Sequence, residues 1–272
     1  GPTGSEISGT PSSRWPSSWS LAACTRCGPG RSCCSRCGPE RSRRAAPSSP
    51  FPSSCPTPWY GAVGRRIATH WVAKMIGTTA GITGFFALYF WVMHNPPTPP
   101  TVMPLTALDH WVDVSDEAML LYGSLWFYIS LPSAFAKDWA ELRACARDAA
   151  LMAGMGLVVF WFFPTTVPAF AVDWAQYPSL MFLKNADAGG NAFPSLHVAF
   201  AVFTAVLLQR QLREVRAPAW VRVLNVLWAL GIVYSTMATR QHVLLDVLGG
   251  TLLAAVVSRA GTARARLAWN EA

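Results

Sequence analysis

The chain has 272 residues, of which 52% are hydrophobic and only 13% charged, and its mean hydropathy is +0.28. An ordinary globular domain carries about 25% charged residues, so this composition excludes a disordered tail protein, a collagen-like fibre and a small disulfide scaffold, and points to an integral membrane protein. The formal charge of +8 is concentrated: residues 1–66 hold nine Arg against two Glu, and the rest of the chain holds thirteen basic and twelve acidic side chains. So nearly neutral a body leaves no electrostatic footprint for nucleic acid.

Residues 1–60 are rich in Ser, Pro, Arg and Cys and almost lack the Ile, Leu and Val from which a core is built. They are expected to form a disordered, low-complexity leader, with the acid-poor, Arg- and Ser-rich composition of an organellar transit peptide. Six of the seven cysteines lie here, at Cys24, Cys27, Cys33, Cys34, Cys37 and Cys55, and Arg-Cys-Gly-Pro-x-Arg-Ser occurs at 26–32 and again at 36–42. Cys24/Cys27 and Cys34/Cys37 stand too close together for a zinc ribbon, whose pairs are spaced by about 15–20 residues. The first Met is Met75, inside the first apolar stretch, so the leader is expected to be an over-extended reading frame or an expression remnant.

From about residue 70 onward, apolar runs near the ~20 residues needed to cross a bilayer follow one another. The expected spans are roughly 72–93, 117–136, 148–171, 194–209, 219–237 and 241–258. Continuous rather than alternating hydrophobicity selects helices over barrel strands, and Pro132 and Pro164 are candidate kink points. Between the first two spans, the Pro-rich stretch 95–104 reads as a stiff linker and 105–117 as a short interfacial helix, with Asp109 and His110 as surface residues.

Lys and Arg fall almost wholly on alternate connections. Thirteen lie on one side: Arg65, Arg66, Lys74, Lys137, Arg143, Arg147, Arg210, Arg213, Arg216, Arg222, Arg259, Arg264 and Arg266. The other side has Lys184 and Arg240 alone. The positive-inside rule then puts both termini in the cytoplasm and turns 94–116, 172–193 and 238–241 outward. Trp71, Trp91, Trp111, Trp139, Trp174 and Trp220 lie near span ends, where indole rings favour the headgroup layer.

Two polar clusters interrupt the apolar body, both on that outer side. The first is Gly189-Gly190-Asn191-Ala192-Phe193-Pro194-Ser195-Leu196-His197. Pro194 suits the first helical position, so Ser195 and His197 fall in an opening turn whose free N–H groups favour an anion such as phosphate. The second runs from Ser235 through Thr236, Thr239, Arg240 and His242 to Asp246, Gly249 and Gly250. His242 and Asp246, four apart, share a helix face, so the carboxylate can fix the imidazole tautomer, which is what a nucleophilic His requires. Ionisable groups within a membrane span are costly and mark function.

Phe193-Pro194-Ser195-Leu196-His197 resembles the second motif of the type 2 phosphatidic acid phosphatase (PAP2) superfamily, Pro-Ser-Gly-His, with Leu in place of Gly. Ser235 through Asp246 resembles its third motif, Ser-Arg, five residues, His, three residues, Asp. Thr236 stands where that motif has Arg, Arg240 lies two residues before the His, and the first motif (Lys, six residues, Arg-Pro) has no counterpart. The departures are similar to the inositol phosphorylceramide synthase-like phosphotransferase branch. The resemblance spans roughly 70–258.

It implies an all-α, polytopic six-transmembrane-helix bundle at 61–272, and a membrane lipid phosphatase or phosphotransferase working through phosphohistidine. His242 would be the nucleophile, Asp246 its orienting carboxylate and His197 the acid and base. Arg240, Ser195 and Lys184 would hold the substrate phosphate. No cofactor and no metal are implied. The expected partners are a lipid phosphate and the bilayer, and the expected place is a bacterial inner membrane with the site facing the periplasm. Two rival readings use the same residues: a two-His, one-carboxylate metal site, and a transporter with a His/Asp proton relay, although no internal repeat supports the latter.

Overall fold

The computed structural model describes residues 58–186 and 190–270, with side chains at 58–184 and 190–264. The leader, with its cysteine pairs, and Gly189 of the first polar cluster lie outside the described residues, apart from the leader's last three positions.

Helix α1 (Trp59–Ala68) opens the described chain and thus begins inside the stretch expected to be leader. Helix α2 (Trp71–His94) is apolar on all sides and corresponds closely to the first expected span. The Pro-rich segment that follows contributes a two-residue strand, β1 (Thr101–Val102), and then a 3₁₀ turn at Ala107–His110.

The second expected span is three short helices, α3 (Ala118–Gly123), α4 (Leu125–Tyr128) and α5 (Leu131–Ala134). Ser124 and Ser130 mark the breaks, their hydroxyls donating back to the Leu121 and Phe127 carbonyls, a competition with the helix's own ladder that interrupts it.

Helix α6 (Trp139–Phe162) begins nine residues before the expected start at 148 and stops nine before the expected end at 171. Its charged first turns, expected as connection, are helical and paired. Asp138 caps the Glu141 N–H at 2.8 Å, and Asp148 takes Arg147 and Arg264 at 3.0 and 2.7 Å. At the far end Pro164 halts the helix, and β2 (Thr165–Thr166) pairs in parallel with β1, Thr101 against Thr165 and Val102 against Thr166.

A 3₁₀ turn at Trp174–Gln176 and helix α7 (Pro178–Ala186) precede α8 (Leu196–Glu214), α9 (Ala219–Ala238) and α10 (Leu244–Asn270). Helix α8 is the hub, packing α6 and α10 on one flank through Phe203, Met152 and Ala254, and α4 and α9 on the other through Ala201, Tyr128 and Ile232. Its crossing with α10 is close enough that a Cβ on Gly250 would occupy the Ser195 carbonyl oxygen, so only glycine fits there.

The outside of the bundle is strongly apolar, with Leu88, Leu120, Phe127, Val158, Leu227 and Leu252 all exposed. A surface of this kind is stable against hydrocarbon rather than water. Helices α2, α6, α9 and the Leu244–Arg264 part of α10 are long and apolar enough to cross a membrane. Helix α8, although 19 residues long, ends in the polar run Gln209–Glu214, and α3–α5 are individually too short.

The end of the bundle away from α7 is bound together by basic residues. Lys74 donates to the carbonyls of Arg66, Ala134 and Ala136 at 2.6, 3.0 and 2.7 Å, Arg66 pairs with Glu214 at 2.8 Å, and Arg210 donates to Thr262 at 2.6 Å. The other end gathers the tips of α2 and α6, the β1–β2 pair, α7 and the two polar clusters.

Candidate active site

Ser195 is the N-cap of α8: its Oγ accepts the Val198 N–H at 3.2 Å, and its own N–H donates to the Asp246 carbonyl at 3.0 Å. That backbone bond joins the starts of α8 and α10. Phe193 N–H donates to Thr165 Oγ1 at 2.8 Å, so β2 fixes the approach to α8. His197 lies in the opening helical turn as expected, whereas Ser195 is the cap before that turn and Pro194 precedes the cap rather than taking the first helical position.

The second cluster closes α9. Gln241 N–H and His242 N–H both donate to the Thr236 carbonyl at 3.1 Å, and Arg240 takes the left-handed conformation at φ 54° that such a helix end requires. A side chain there costs about 1 kcal/mol, and Arg240 offsets this by bonding outward. Its guanidinium donates to the Asp109 and Val112 carbonyls at 2.9 and 2.7 Å and lies 4.8 Å from the centre of the Phe170 ring. Lys184 Nζ donates to the Arg240 carbonyl at 2.8 Å and lies 5.3 Å from the centre of the Trp174 ring. Thr236, where the motif it resembles has Arg, is fully buried, its hydroxyl donating to the Val233 carbonyl at 2.8 Å.

His242 and Asp246 meet, but not on one helix face as expected: α10 begins at Leu244, so His242 lies in the α9–α10 connection and Asp246 in the first turn of α10. Nδ1 of His242 lies 3.5 Å from Oδ2 of Asp246, whose carboxylate is completely buried and also accepts the Val243 N–H at 3.0 Å. His197 stacks on Tyr122 with ring centres 3.9 Å apart, meets Trp126 edge-on at 5.8 Å, and sets Nε2 3.0 Å from the Tyr122 carbonyl. A carbonyl oxygen can only accept, so Nε2 carries the proton and Nδ1 is the ring's open acceptor.

His197, from α8, and His242, from the α9–α10 connection, wall one cavity of about 180 Å³ together with Phe85, Tyr89, Tyr122 and Asn191. Asp246 backs His242. Among the described residues Ser195, Arg240 and Lys184 are not part of that wall. No cluster of three metal-ligating side chains occurs among the described residues.

Asp109 was read from the sequence as a surface residue and is instead only 2% exposed. One oxygen of its carboxylate accepts from the Thr106 N–H and hydroxyl, both at 2.7 Å, and the other from the Leu244 N–H at 2.7 Å, capping α10 just past His242. A signal was present: Thr106-Ala107-Leu108-Asp109 has the spacing of a reciprocal capping box. His110 is exposed, as expected, and the interfacial helix read at 105–117 is a single 3₁₀ turn. The aromatic cavity wall gave no signal, because Phe and Trp in a membrane span look the same whether they face lipid or a cavity.

Apolar helices with two polar clusters gathered at one end of a bundle define a membrane-embedded helical protein. The PAP2 superfamily model matches residues 114–260, more than half of the chain, and the protein belongs to that superfamily. No curated protein and no solved structure matches it.

Proposed function

We propose that the chain is a membrane lipid-phosphate phosphotransferase or phosphatase acting through a phosphohistidine at the outer, periplasmic or lumenal, face. The observation that carries this reading is the shared cavity: two imidazoles, one from α8 and one from the α9–α10 connection, face one gap, one of them backed by a buried carboxylate. We assign it to the inositol phosphorylceramide synthase-like branch because Thr236 replaces the early Arg.

With Nδ1–H of His242 turned to Asp246, its Nε2 lone pair is the nucleophile. Nε2 attacks phosphorus, an N–P bond forms, the bond to the leaving alkoxide breaks, and His197 gives that oxygen a proton. Water or an acceptor hydroxyl then attacks, its proton passes to His197, and the N–P bond breaks. The phosphate oxygens gain negative charge in transit and need fixed positive potential. The α8 N-terminus, capped by Ser195, supplies part of it. Arg240 and Lys184, bonded to carbonyls around the nucleophile's loop, supply the rest as charges behind it rather than as direct donors.

The six-span reading counts α3–α5 and α8 as the two spans beyond the four apolar helices. The basic residues gathered at the opposite end support a cytoplasmic position for that end and for both termini. The scheme uses no metal, so turnover is expected to persist in excess chelator.

The test is an assay of purified protein on a panel of lipid phosphates and phosphodiester lipids, with and without an alcohol acceptor. Phosphate release without acceptor identifies the phosphatase, and product only with acceptor identifies the transferase. No turnover of any donor, with a His242→Ala protein indistinguishable from wild type, overturns the reading.

A further inference from the structure

A second cavity of about 400 Å³ adjoins the histidine cavity and has no part in the chemistry above. The two share Phe85, Trp126 and Phe200 as wall, so they abut across those three aromatic rings. From there the larger one follows α2 back to Ala73, with α6 opposite. Twelve residues of α2 at 1.5 Å each make it roughly 18 Å long, close to the half of a ~30 Å hydrocarbon core that a single leaflet occupies.

Its lining has little to offer a polar ligand. Lys74 spends its ammonium on three carbonyls, Thr78 and Ser133 bond each other at 2.9 Å, and Arg143 is exposed at the far end. What remains is aromatic and small aliphatic surface, including Gly77 and Gly81, where an added Cβ would meet nothing within 4 Å.

We infer that this slot holds one hydrocarbon chain of the lipid whose phosphate lies between His197 and His242, and that Gly77 and Gly81 set how long a chain it accepts. The inference rests on the proposed phosphate site, since the shared aromatic wall is what sets the slot beside that headgroup. A polar or bulky soluble phosphate would leave the slot empty.

Gly81→Leu and Gly77→Leu fill the slot without a backbone clash and raise helix propensity. Gly84→Leu, on the same helix with equal room around its Cβ but outside the slot, is the control. Two probes are compared in detergent, dioctanoyl and dioleoyl phosphatidic acid. Separately, a phosphatidic acid with a diazirine at the chain terminus is photo-cross-linked and the labelled peptides mapped.

Displacing two methylenes of a buried chain costs about tenfold in affinity. Gly81→Leu is therefore expected to lower kcat/KM for the dioleoyl lipid about tenfold or more relative to the dioctanoyl lipid, while Gly84→Leu leaves the ratio unchanged. The diazirine is expected to label residues 73–85 or 142–153, and the label to fall in Gly81→Leu. An unchanged ratio in Gly81→Leu, or labelling confined to the outer faces of α9 and α10, overturns the slot. If neither lipid is turned over but the slot is labelled and Gly81→Leu removes the label, the chain site stands and the proposed chemistry falls. If His242→Ala abolishes turnover while the label lies elsewhere, the chemistry stands and the slot falls.

Discussion

Replacing Asp246 by Asn isolates the electrostatic part of the proposed mechanism with little change in shape. In the native protein the carboxylate accepts from Val243 N–H at 3.0 Å and faces Nδ1 of His242 at 3.5 Å. That separation exceeds the ~2.7–2.9 Å of a formed charge-assisted bond, and such contacts tighten as charge develops on the imidazole. Oδ2 faces both groups, so Asn with its carbonyl there still accepts from Val243, and its NH₂ falls on the Oδ1 side, away from His242. What is removed is the negative charge that stabilises the imidazole ring as it turns positive on phosphorylation. Losing one preorganised electrostatic partner of this kind costs about 10²–10³ in kcat. For Asp246→Asn a fall of about 10²–10³ is expected, or about 2.7–4 kcal/mol of barrier, with KM within about threefold because no substrate contact is removed. Stability should drop by only about 1–2 kcal/mol, read as the thermal midpoint in detergent. The assay is single-turnover phosphate transfer, with acid-labile, base-stable radiolabel on the protein as the readout of phosphohistidine. Activity within tenfold of wild type, with the protein folded, would refute the role given to Asp246.

Other outcomes follow from the same geometry. The first step needs neutral His242 and protonated His197, so kcat/KM should trace a bell against pH. In His197→Ala the alkaline limb should vanish, and an aryl phosphate with a good leaving group should recover most of the lost rate; equal loss on aryl and alkyl phosphates would remove His197 as the acid. Asp109→Ala strips acceptors from Thr106 and Leu244 and should lower stability by about 1–3 kcal/mol, with Asp109→Asn milder, as measured by thermal unfolding. Gly250→Ala sets a methyl on the Ser195 carbonyl oxygen and should cost about 1–3 kcal/mol or more, whereas Gly77→Ala, in open space, should be neutral or stabilising by up to about 1 kcal/mol. In a background with all seven native cysteines replaced by Ala, Leu105→Cys should react with an impermeant thiol reagent from outside the intact cell and Arg213→Cys only after permeabilisation; the reverse pattern would invert the proposed orientation.

Sequence reasoning worked best where one local rule dominated. Helices α2 and α9 fall within a residue or two of expectation because each is an unbroken apolar run flanked by polar residues or Pro. The α6 boundaries were missed because Glu141, Arg143, Arg147 and Asp148 look like a connection until their partners, such as Arg264, are known. The interruptions at Ser124 and Ser130 were missed for a related reason: a serine in an apolar run reads the same whether its hydroxyl bends the helix or faces a neighbour.

Composition and periodicity by themselves decided that this is a membrane protein, because hydrophobic burial acts over neighbouring residues; the four-residue spacing of His242 and Asp246 brought them close, but as a connection residue and a first-turn residue rather than on one helix face. Only the tertiary structure placed His197 beside His242, turned Arg240 toward the Asp109 and Val112 carbonyls, and made Asp109 the cap of α10. Those outcomes depend on which helix ends meet. A side chain's hydrogen-bond partner is chosen by whatever donor or acceptor the fold brings within about 3 Å, and for these residues that partner comes from distant parts of the chain.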